Sequence, residues 1–301
     1  MIPEIQTPDS RAGYRGRLAP SPTGRLHLGH ARTFWWAWQR ARAAGGRIIL
    51  RNDDLDAARC RPEFVTGFLE DLRWLGLDWD EGPDIGGRYG PYNQSQRLSL
   101  YRDAFETLRS AGFLYPCHCS RKDILDALQA PHDGDEEPVY PGTCRPERIS
   151  PGSRRSRPEV AWRFLVKDGR QVQFVDGGCG PQKFVAGVEF GDFVVWRPEG
   201  VPSYQLACVV DDAAMRITEV VRGRDLLAST ARQLLLYGAL GEVAPAFFHC
   251  PLVTDERGVR LAKRQDALSL RTLRESGRNP MDIQQTADWS NPLRRDSVPP
   301  C

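Results

Sequence analysis

Residues 20–30, Pro-Ser-Pro-Thr-Gly-Arg-Leu-His-Leu-Gly-His, decide the fold, because they join a predicted strand at 17–19 to a predicted helix over about 29–44. Gly45-Gly46 ends that helix, and 47–51, Arg-Ile-Ile-Leu-Arg, has the composition of a buried strand. A strand, a helix and a strand in this order predict a βαβ crossover and therefore a parallel sheet. In such a turn, backbone N–H groups and the helix dipole can hold a phosphate.

The rest of the chain continues the α/β pattern around one interruption. Two more amphipathic helices are predicted, one beginning at Pro62 and one over 95–112. From 113 to 157 the composition changes to cysteines, histidines, an acidic run, prolines and arginines, which indicates an insertion. Strand-like runs follow, and αβ alternation resumes from Ser203; the runs are 160–166, 171–175 and 193–196.

Bulk composition excludes few classes of protein. The 301 residues are 41% hydrophobic and 27% charged, with a formal net charge of +2, so any nucleic-acid partner would need a local basic patch. The sequence has no apolar run of about 18 residues and no signal-peptide pattern, which predicts a cytoplasmic protein without membrane association. The eight cysteines are too few for a disulfide scaffold.

Two histidines at the start of the first helix carry the first chemical prediction. His27 and His30 are three residues apart, so both can reach one polyphosphate, and Gly29 leaves room for an adenine ring beside the backbone. Alone, this tetrapeptide also fits an ordinary helix start. Joined to Pro-Ser-Pro-Thr-Gly, it resembles the first signature of the class I glutamyl and glutaminyl tRNA synthetases. The resemblance implies a Rossmann-like parallel sheet and ATP, with Mg²⁺, as a substrate.

The resemblance extends over about 17–267. In place of the family's second ATP signature, Lys-Met-Ser-Lys-Ser, this chain has Arg-Leu-Ala-Lys-Arg at 260–264, in which Lys263 is retained. The resemblance assigns Lys263 to the departing pyrophosphate, beside His27 and His30. Further matching blocks are 51–56, 74–81, 94–97, 204–212 and 217–223.

The same resemblance implies a pocket for glutamate. Its members are Arg17, Ser21, Asp53, Tyr204 and Arg222. A planar guanidinium binds a carboxylate through two N–H groups, so one arginine is expected to pair with the substrate side chain. Asp53 stands where the family has a glutamate that binds the substrate ammonium. Because aspartate is one methylene shorter, the neighbouring Asp54 stays open as an alternative.

Cysteines in the insertion predict a structural zinc site. Cys117, Cys119 and Cys144 are three soft ligands, and zinc in structural sites commonly takes four in a tetrahedron. Spacing alone leaves the fourth ligand open, and histidine is chemically better than tyrosine; the candidates are Tyr140, His118 and His132. The pattern Cys-x-Cys…Tyr-x₃-Cys resembles the glutamyl-queuosine tRNA(Asp) synthetases, which implies Tyr140.

The predicted organisation places one catalytic domain around the insertion. Residues 1–112 and 158–245 are its halves, 113–157 the zinc-binding insertion, and 246–301 a truncated stem-contact region with a polar tail. No anticodon-binding domain is expected. The resemblance therefore implies a monomeric enzyme that forms glutamyl-adenylate and transfers glutamate to the queuosine base of tRNA(Asp). The alternatives are a shortened enzyme charging the 3′ end of tRNA and a non-catalytic RNA-binding paralogue.

Overall fold

The structure is a computed structural model that describes residues 13–120, 122–124, 139–148, 160–253, 269–286 and 289. In chain order its elements are β1 (Arg15–Leu18), α1 (Leu28–Ala43), β2 (Arg47–Leu50), α2 (Pro62–Trp74), α3 (Leu98–Ser110), β3 (Leu114–Cys117), β4 (Ala161–Phe164), β5 (Gln171–Asp176), β6 (Gly180–Val185), β7 (Phe193–Trp196), α4 (Tyr204–Ala214), β8 (Glu219–Gly223), α5 (Leu227–Leu240), β9 (Ala246–Cys250), α6 (Leu270–Glu275) and α7 (Pro280–Thr286). The predicted βαβ unit is present as β1, α1 and β2. The predicted helix over 95–112 begins only at Leu98, because Gln94–Gln96 form a 3₁₀ turn.

Parallel strands form the centre of the fold, as the sequence predicts. β1 pairs with β2 in parallel, and β8 pairs with β9 in parallel. β1 also lies beside β8, where the Thr218 amide donates to the Arg15 carbonyl at 2.9 Å and the Arg15 amide donates to the Thr218 hydroxyl at 2.8 Å. Both strand pairs are connected through a helix, which is the connection that parallel neighbours require.

Side chains on these strands alternate between two apolar cores. Ile48 and Leu50 of β2 belong to the core that contains α1 and α2, whereas Ile49 belongs to the core that contains α4 and α5. In β8, Val221 belongs to the core with α1 and α2, and Val220 belongs to the core with α4 and α5. Because successive residues of a strand point to opposite faces, helices cover both faces of this parallel arrangement. It is therefore a Rossmann-like α/β fold.

The buried face of α1 differs from the sequence prediction in one respect. Helical spacing places Trp35 and Trp38 on the face with Ala31 and Phe34, yet both are only partly buried and Trp36 is 2% exposed. The Trp36 ring packs edge-on against Phe248 of β9 at 5.9 Å between centroids. Apolar spacing alone could not choose between adjacent tryptophans, since the neighbour that selects Trp36 lies more than 200 residues away in sequence.

In chain order, antiparallel strands lie between the two parallel pairs. β4 lies between β3 and β7, and β5 and β6 form a hairpin. The turn of this hairpin reaches the parallel strands, where the Gly177 amide donates to the Phe247 carbonyl of β9 at 2.8 Å. None of the helices in the described ranges is both long and apolar enough to span a bilayer.

Candidate active site

A cavity of about 460 Å³ lies at the carboxyl ends of β1, β8 and β9. This is the position at which open α/β sheets bind their ligands. The described residues that the sequence predicts for glutamate and for ATP all line it: Arg17, Ser21, His27, Gly29, His30, Asp53, Tyr204 and Arg222. Lys263 lies outside the described residues. The structure thus brings together predicted residues from five separate segments, while their individual roles stay predictions.

The two histidines are fixed at the N-terminus of α1. His27 is the N-cap residue, and its Nδ1 accepts a hydrogen bond from the Gly29 amide at 3.1 Å. The His27 and His30 rings lie 3.7 Å apart between centroids. A Cβ on Gly29 would lie 2.9 Å from Cε1 of His27, so glycine leaves room here for the imidazole; the predicted adenine contact stays a prediction. Both rings therefore border the cavity beside a helix N-terminus, which favours an anion.

Buried charged side chains surround the part of the cavity that Arg17 and Asp53 line. Arg51 is fully buried and forms a two-point ion pair with Asp53, with Nε to Oδ1 at 2.6 Å and Nη2 to Oδ2 at 3.2 Å. Its Nη1 donates to Asp212 Oδ1 at 2.6 Å, and Arg17 Nε lies 3.5 Å from the same oxygen. Asp212 therefore links the two arginines, and it fixes Arg17, which is only 5% exposed.

Helix α4 supplies this network from one face. Tyr204 and Cys208 line the cavity, and Asp211 and Asp212 follow at the next turn of the helix. Asp211 accepts hydrogen bonds from Arg97 Nε at 2.6 Å, from Gln94 Nε2 at 2.7 Å and from the Tyr101 hydroxyl at 2.9 Å. Arg51, Asp211 and Asp212 lie in the blocks that resemble the family, but no individual role follows for them from the sequence alone. Their pairing required the fold.

Asp53 and Asp54 have different surroundings. Asp53 lines the cavity, whereas Asp54 accepts two hydrogen bonds from Ser95, from its amide at 2.8 Å and from its hydroxyl at 2.7 Å. Burial raises the pKa of Asp53 to about 6, against the lowering effect of Arg51. Geometry therefore favours Asp53 over Asp54 as the carboxylate that a cationic ligand in the cavity would meet.

Arg222 is a buried cation whose described hydrogen-bond partners are all uncharged. It is 5% exposed; its Nη2 donates to the Thr230 hydroxyl at 2.6 Å and its Nη1 to Gln233 Oε1 at 2.9 Å. Its Nε donates to His249 Nε2 at 3.1 Å, and the Tyr204 hydroxyl lies at a longer 3.5 Å from Nη1. A buried guanidinium without a carboxylate is electrostatically costly, so the arrangement favours an anionic ligand.

His249 links Arg222 to a third segment. Its Nδ1 lies 2.6 Å from Asp176 Oδ2, at the end of β5. Burial lowers the pKa of His249 more than the Asp176 carboxylate raises it, so the imidazole is neutral at pH 7. Neither His249 nor Asp176 belongs to a recognisable sequence motif, so neither is predicted as a site residue from the sequence. They lie 73 positions apart, and only the strand pairing brings them together.

Three cysteines and a tyrosine form a second cluster, remote from the cavity lining. The sulfur atoms of Cys117, Cys119 and Cys144 all lie within 4.8 Å of one another. The Tyr140 hydroxyl lies 3.4 Å from Cys117 Sγ and 3.6 Å from Cys119 Sγ. Ligands on a tetrahedral zinc with bonds of about 2.3 Å stand about 3.8 Å apart, so these four donors have the required spacing.

Of the two histidine candidates for a fourth ligand, only His118 can be compared with Tyr140. Among the described residues His118 is not part of the group within 4.8 Å, and His132 lies outside them. Burial raises the pKa of Cys119 to about 12 and also raises that of Tyr140, whereas the hydrogen bond with Tyr140 lowers the pKa of Cys144 against the effect of burial; a cation is therefore needed to deprotonate Cys119 and Tyr140 at neutral pH. The donor set is therefore suited to a thiophilic metal ion.

Charged side chains tie this cluster to the antiparallel sheet. Arg163 of β4 donates through Nε to Cys117 Sγ at 3.3 Å, and its guanidinium carbon lies 3.9 Å from the centre of the Tyr140 ring. Arg145, next to Cys144, donates through Nε to Asp192 Oδ2 at 2.6 Å. Arg163 thus supplies positive charge beside two of the four donors, where it would offset the negative charge of a thiolate and a phenolate.

Comparison with known proteins identifies the class. The family described as tRNA synthetases class I (E and Q), catalytic domain, matches residues 14–287, and the chain belongs to this family of aminoacyl-tRNA synthetases. Within it, the chain is 53% identical to the glutamyl-Q tRNA(Asp) synthetase of Symbiobacterium thermophilum, over 89% of this chain and 83% of that protein. It is 52% identical to the glutamyl-Q tRNA(Asp) synthetase of Nitratidesulfovibrio vulgaris, over 87% of this chain and 82% of that protein. The resemblance inferred from the sequence is confirmed.

A solved structure gives the same fold. The glutamate tRNA ligase of Elizabethkingia meningosepticum, in complex with its amino acid, matches with a TM-score of 0.75 and 27% identity. The match covers 95% of this chain and 64% of that one. The α/β fold of a class I synthetase catalytic domain is therefore confirmed for this chain.

Proposed function

We propose that the protein activates glutamate with ATP as glutamyl-adenylate and transfers the glutamyl group to the queuosine base of tRNA(Asp). The observation that carries this proposal is one cavity bordered by the histidines of a helix N-terminus, by the buried Arg17 and Arg222, and by the partly buried Asp53. Its borders match the two substrates, an anionic polyphosphate and a small dicarboxylic amino acid. The names of the two glutamyl-Q tRNA(Asp) synthetases cited above support the acceptor.

Arg222 is the proposed partner of the glutamate side-chain carboxylate. A guanidinium has five N–H donors, and three of those of Arg222 have short bonds, to Thr230, Gln233 and His249. One N–H on Nη2 remains, and the second N–H on Nη1 makes only the long 3.5 Å contact to the Tyr204 hydroxyl, so both can turn to the two oxygens of one carboxylate. Glutamine would present an amide NH₂ to one of these donors and would leave the buried charge uncompensated, so glutamate is preferred.

Asp53 is the proposed partner of the substrate ammonium. Its two-point pair with the fully buried Arg51 fixes the carboxylate, while its exposure to the cavity leaves room for a second cation. Arg17 and Ser21, from the first strand and the following turn, would complete the contacts to the amino acid. Tyr204 covers the pocket from the first turn of α4.

His27, His30 and Lys263 are the proposed contacts of the ATP phosphates. The residues that flank the undescribed segment 254–268 support the assignment of Lys263. Val253 lines the cavity, and Ser269 forms a β-bridge with His27. Since residues on both sides of Lys263 in the chain lie at the proposed polyphosphate site, we assign Lys263 to it.

The chemistry needs positioning and charge stabilisation more than a covalent enzyme intermediate. The glutamate α-carboxylate oxygen attacks the α-phosphorus of Mg²⁺-bound ATP, a P–O bond forms, and pyrophosphate leaves. His27, His30 and Lys263 stabilise the negative charge that accumulates on the leaving phosphates. The acceptor hydroxyl of the tRNA then attacks the mixed anhydride, and AMP leaves.

Zinc is the proposed occupant of the second cluster, with Cys117, Cys119, Tyr140 and Cys144 as its ligands. Its role is structural, because four protein donors leave no open position for a water molecule or a substrate. The ion would compensate the thiolates and cross-link β3 to the segment 139–148.

The test is glutamate-dependent ATP–pyrophosphate exchange, followed by transfer of radiolabelled glutamate to tRNA(Asp) with and without queuosine. Exchange with glutamate, and label only on the queuosine-bearing tRNA, is the expected result. Label on the 3′ end of tRNA(Glu) would instead identify a shortened charging enzyme. No exchange with any amino acid would identify a non-catalytic paralogue.

A further inference from the structure

We propose that Asp176 and His249 are positioning residues for substrate selection, which hold the Arg222 guanidinium so that two of its N–H groups face the substrate carboxylate. This inference rests on the proposed function, because it takes Arg222 to be the reader of the glutamate side chain. Neither residue lines the cavity, so both act through Arg222 and not on the substrate.

The position of one proton follows from the Arg222 contact. An arginine side chain can only donate hydrogen bonds, so the Nε–H of Arg222 requires a lone pair on His249 Nε2, 3.1 Å away. The imidazole proton must then be on Nδ1, where it is donated to Asp176 Oδ2 at 2.6 Å. His249 is therefore held as a single neutral tautomer between a carboxylate and a guanidinium, with the Thr230 hydroxyl also 3.1 Å from Nε2, where it can donate.

Asp176 can select this tautomer because its other oxygen is already occupied. Oδ1 accepts hydrogen bonds from the backbone amides of Gly178 at 2.9 Å, Cys179 at 2.8 Å and His249 at 3.0 Å. The carboxylate cannot rotate without losing these bonds, so Oδ2 always faces the imidazole. A Cβ on Gly178 would lie 2.3 Å from the His249 carbonyl oxygen, which shows how closely the hairpin turn is seated on β9.

This arrangement determines how Arg222 can meet a carboxylate. With Nε committed to His249, a ligand cannot use the Nε and Nη2 edge of the guanidinium, and only the Nη1 and Nη2 end remains. A neutral imidazole also leaves the charge of Arg222 for the substrate, whereas a carboxylate at the same place would neutralise it. Asp176 is thus separated from the Arg222 guanidinium by the His249 imidazole, through which it sets the orientation of the guanidinium.

The variant Asp176→Asn tests this chain with almost no change of shape. The three backbone amides require an oxygen at the Oδ1 position, so the new NH₂ group must face His249 Nδ1. The imidazole proton is then driven to Nε2, against the Nε–H of Arg222. We expect the KM for glutamate in the exchange reaction to rise about tenfold, with the KM for ATP changed less than twofold.

A second substitution separates positioning from structural support. In His249→Gln, the amide can donate its NH₂ to Asp176 and turn its oxygen to Arg222, so the KM for glutamate should stay within about threefold of the wild-type value. Asp71→Asn is the matched control: Asp71 is a carboxylate on α2 that is 2% exposed and does not line the cavity, and its loss should leave the KM for glutamate unchanged.

The outcomes distinguish this inference from the proposed function. Wild-type exchange that depends on glutamate, with an unchanged KM in Asp176→Asn or a KM in His249→Gln that rises as much as in Asp176→Asn, overturns the positioning role alone. An equal rise in the KM for ATP and for glutamate also overturns it, since that would be general disruption of the cavity. A wild-type enzyme without glutamate-dependent exchange overturns both. Thermal unfolding of each variant shows that the folded state is being compared.

Discussion

Arg222 on β8 and His249 on β9 are register partners in a parallel strand pair, and their side chains meet with Nε and Nε2 3.1 Å apart. A cation that projects from the interior of a sheet has a more fixed position than one on a loop. The Arg222 guanidinium is therefore presented to the cavity from a paired strand.

The first prediction concerns the shape of that cation. Arg222→Lys keeps the positive charge but removes the two-point fork and the hydrogen bonds to His249, Thr230 and Gln233. We expect the KM for glutamate to rise about 100-fold, which corresponds to about 3 kcal/mol, with ATP binding retained. Isothermal titration with ATP and exchange kinetics with glutamate measure the two separately. An effect below fivefold would show that only the charge matters.

The second prediction concerns pH and Asp53. Because its pKa is raised to about 6, this carboxyl gains a proton and loses its charge as the pH falls through 6. Glutamate should therefore bind well at pH 7.5 and progressively less well below pH 6, while its own side chain titrates only near pH 4.3. Direct titration with glutamate between pH 5 and 8 measures this dependence.

Asp53→Asn serves as the control for that titration. The amide cannot ionise, so glutamate binding should be weakened roughly tenfold at pH 7.5 and should lose the step near pH 6. A step that persists in the variant would assign the titration to another group, such as His27 or His30, and would remove Asp53 from the ammonium site.

The third prediction concerns Gly29. In Gly29→Ala the new Cβ would lie 2.9 Å from His27 Cε1, so the imidazole must shift. We expect the KM for ATP to rise several-fold, the KM for glutamate to stay constant, and no loss of stability, since alanine is favoured over glycine in a helix by about 0.5–1 kcal/mol. Gly67→Ala in α2 is the matched control, because its Cβ would meet nothing within 4 Å. Equal kinetic effects of both substitutions would contradict the argument.

The fourth prediction concerns the metal. The purified protein should contain one zinc ion per chain, Cys119→Ser should abolish it, and Tyr140→Phe should weaken binding at least about tenfold. Elemental analysis and chelator competition measure these quantities. Cys60→Ser, outside the cluster, is the control and should retain a full complement of zinc. Unchanged affinity in Tyr140→Phe would return the fourth position to a histidine.

Much of the fold and the cavity could be predicted from local sequence. The strand, turn and helix around Gly29 are specified by near neighbours, and the residues of the glutamate and ATP pocket lie in ordered blocks that resemble one family. The alternation of Ile48, Ile49 and Leu50 between two cores could not be predicted, since a fully apolar strand has no polar face to mark its orientation.

The contacts that fix the side chains of the pocket could not be predicted from the sequence either. Asp176 ends a hairpin strand in a stretch with no motif, and nothing near it in the chain indicates a partner on β9. Arg163 is similarly an ordinary strand residue until β3 brings Cys117 to its side. Such side chains act on functional residues from a distance in sequence, so only the folded chain identifies them.

Asp192 affects which parts of the protein unfold together. This one carboxylate, beside β7, accepts hydrogen bonds from the Tyr115 hydroxyl of β3 at 2.6 Å, from Arg145 at 2.6 Å and from the Val166 amide at 2.8 Å. The cysteine cluster and the antiparallel sheet therefore meet at a buried junction and should form one cooperative unit. On metal removal, amides of β3 and β4 should lose protection from hydrogen exchange together, while those of β8 and β9 keep theirs. The chain would then contain two regions of separate local stability, of which only one depends on the metal.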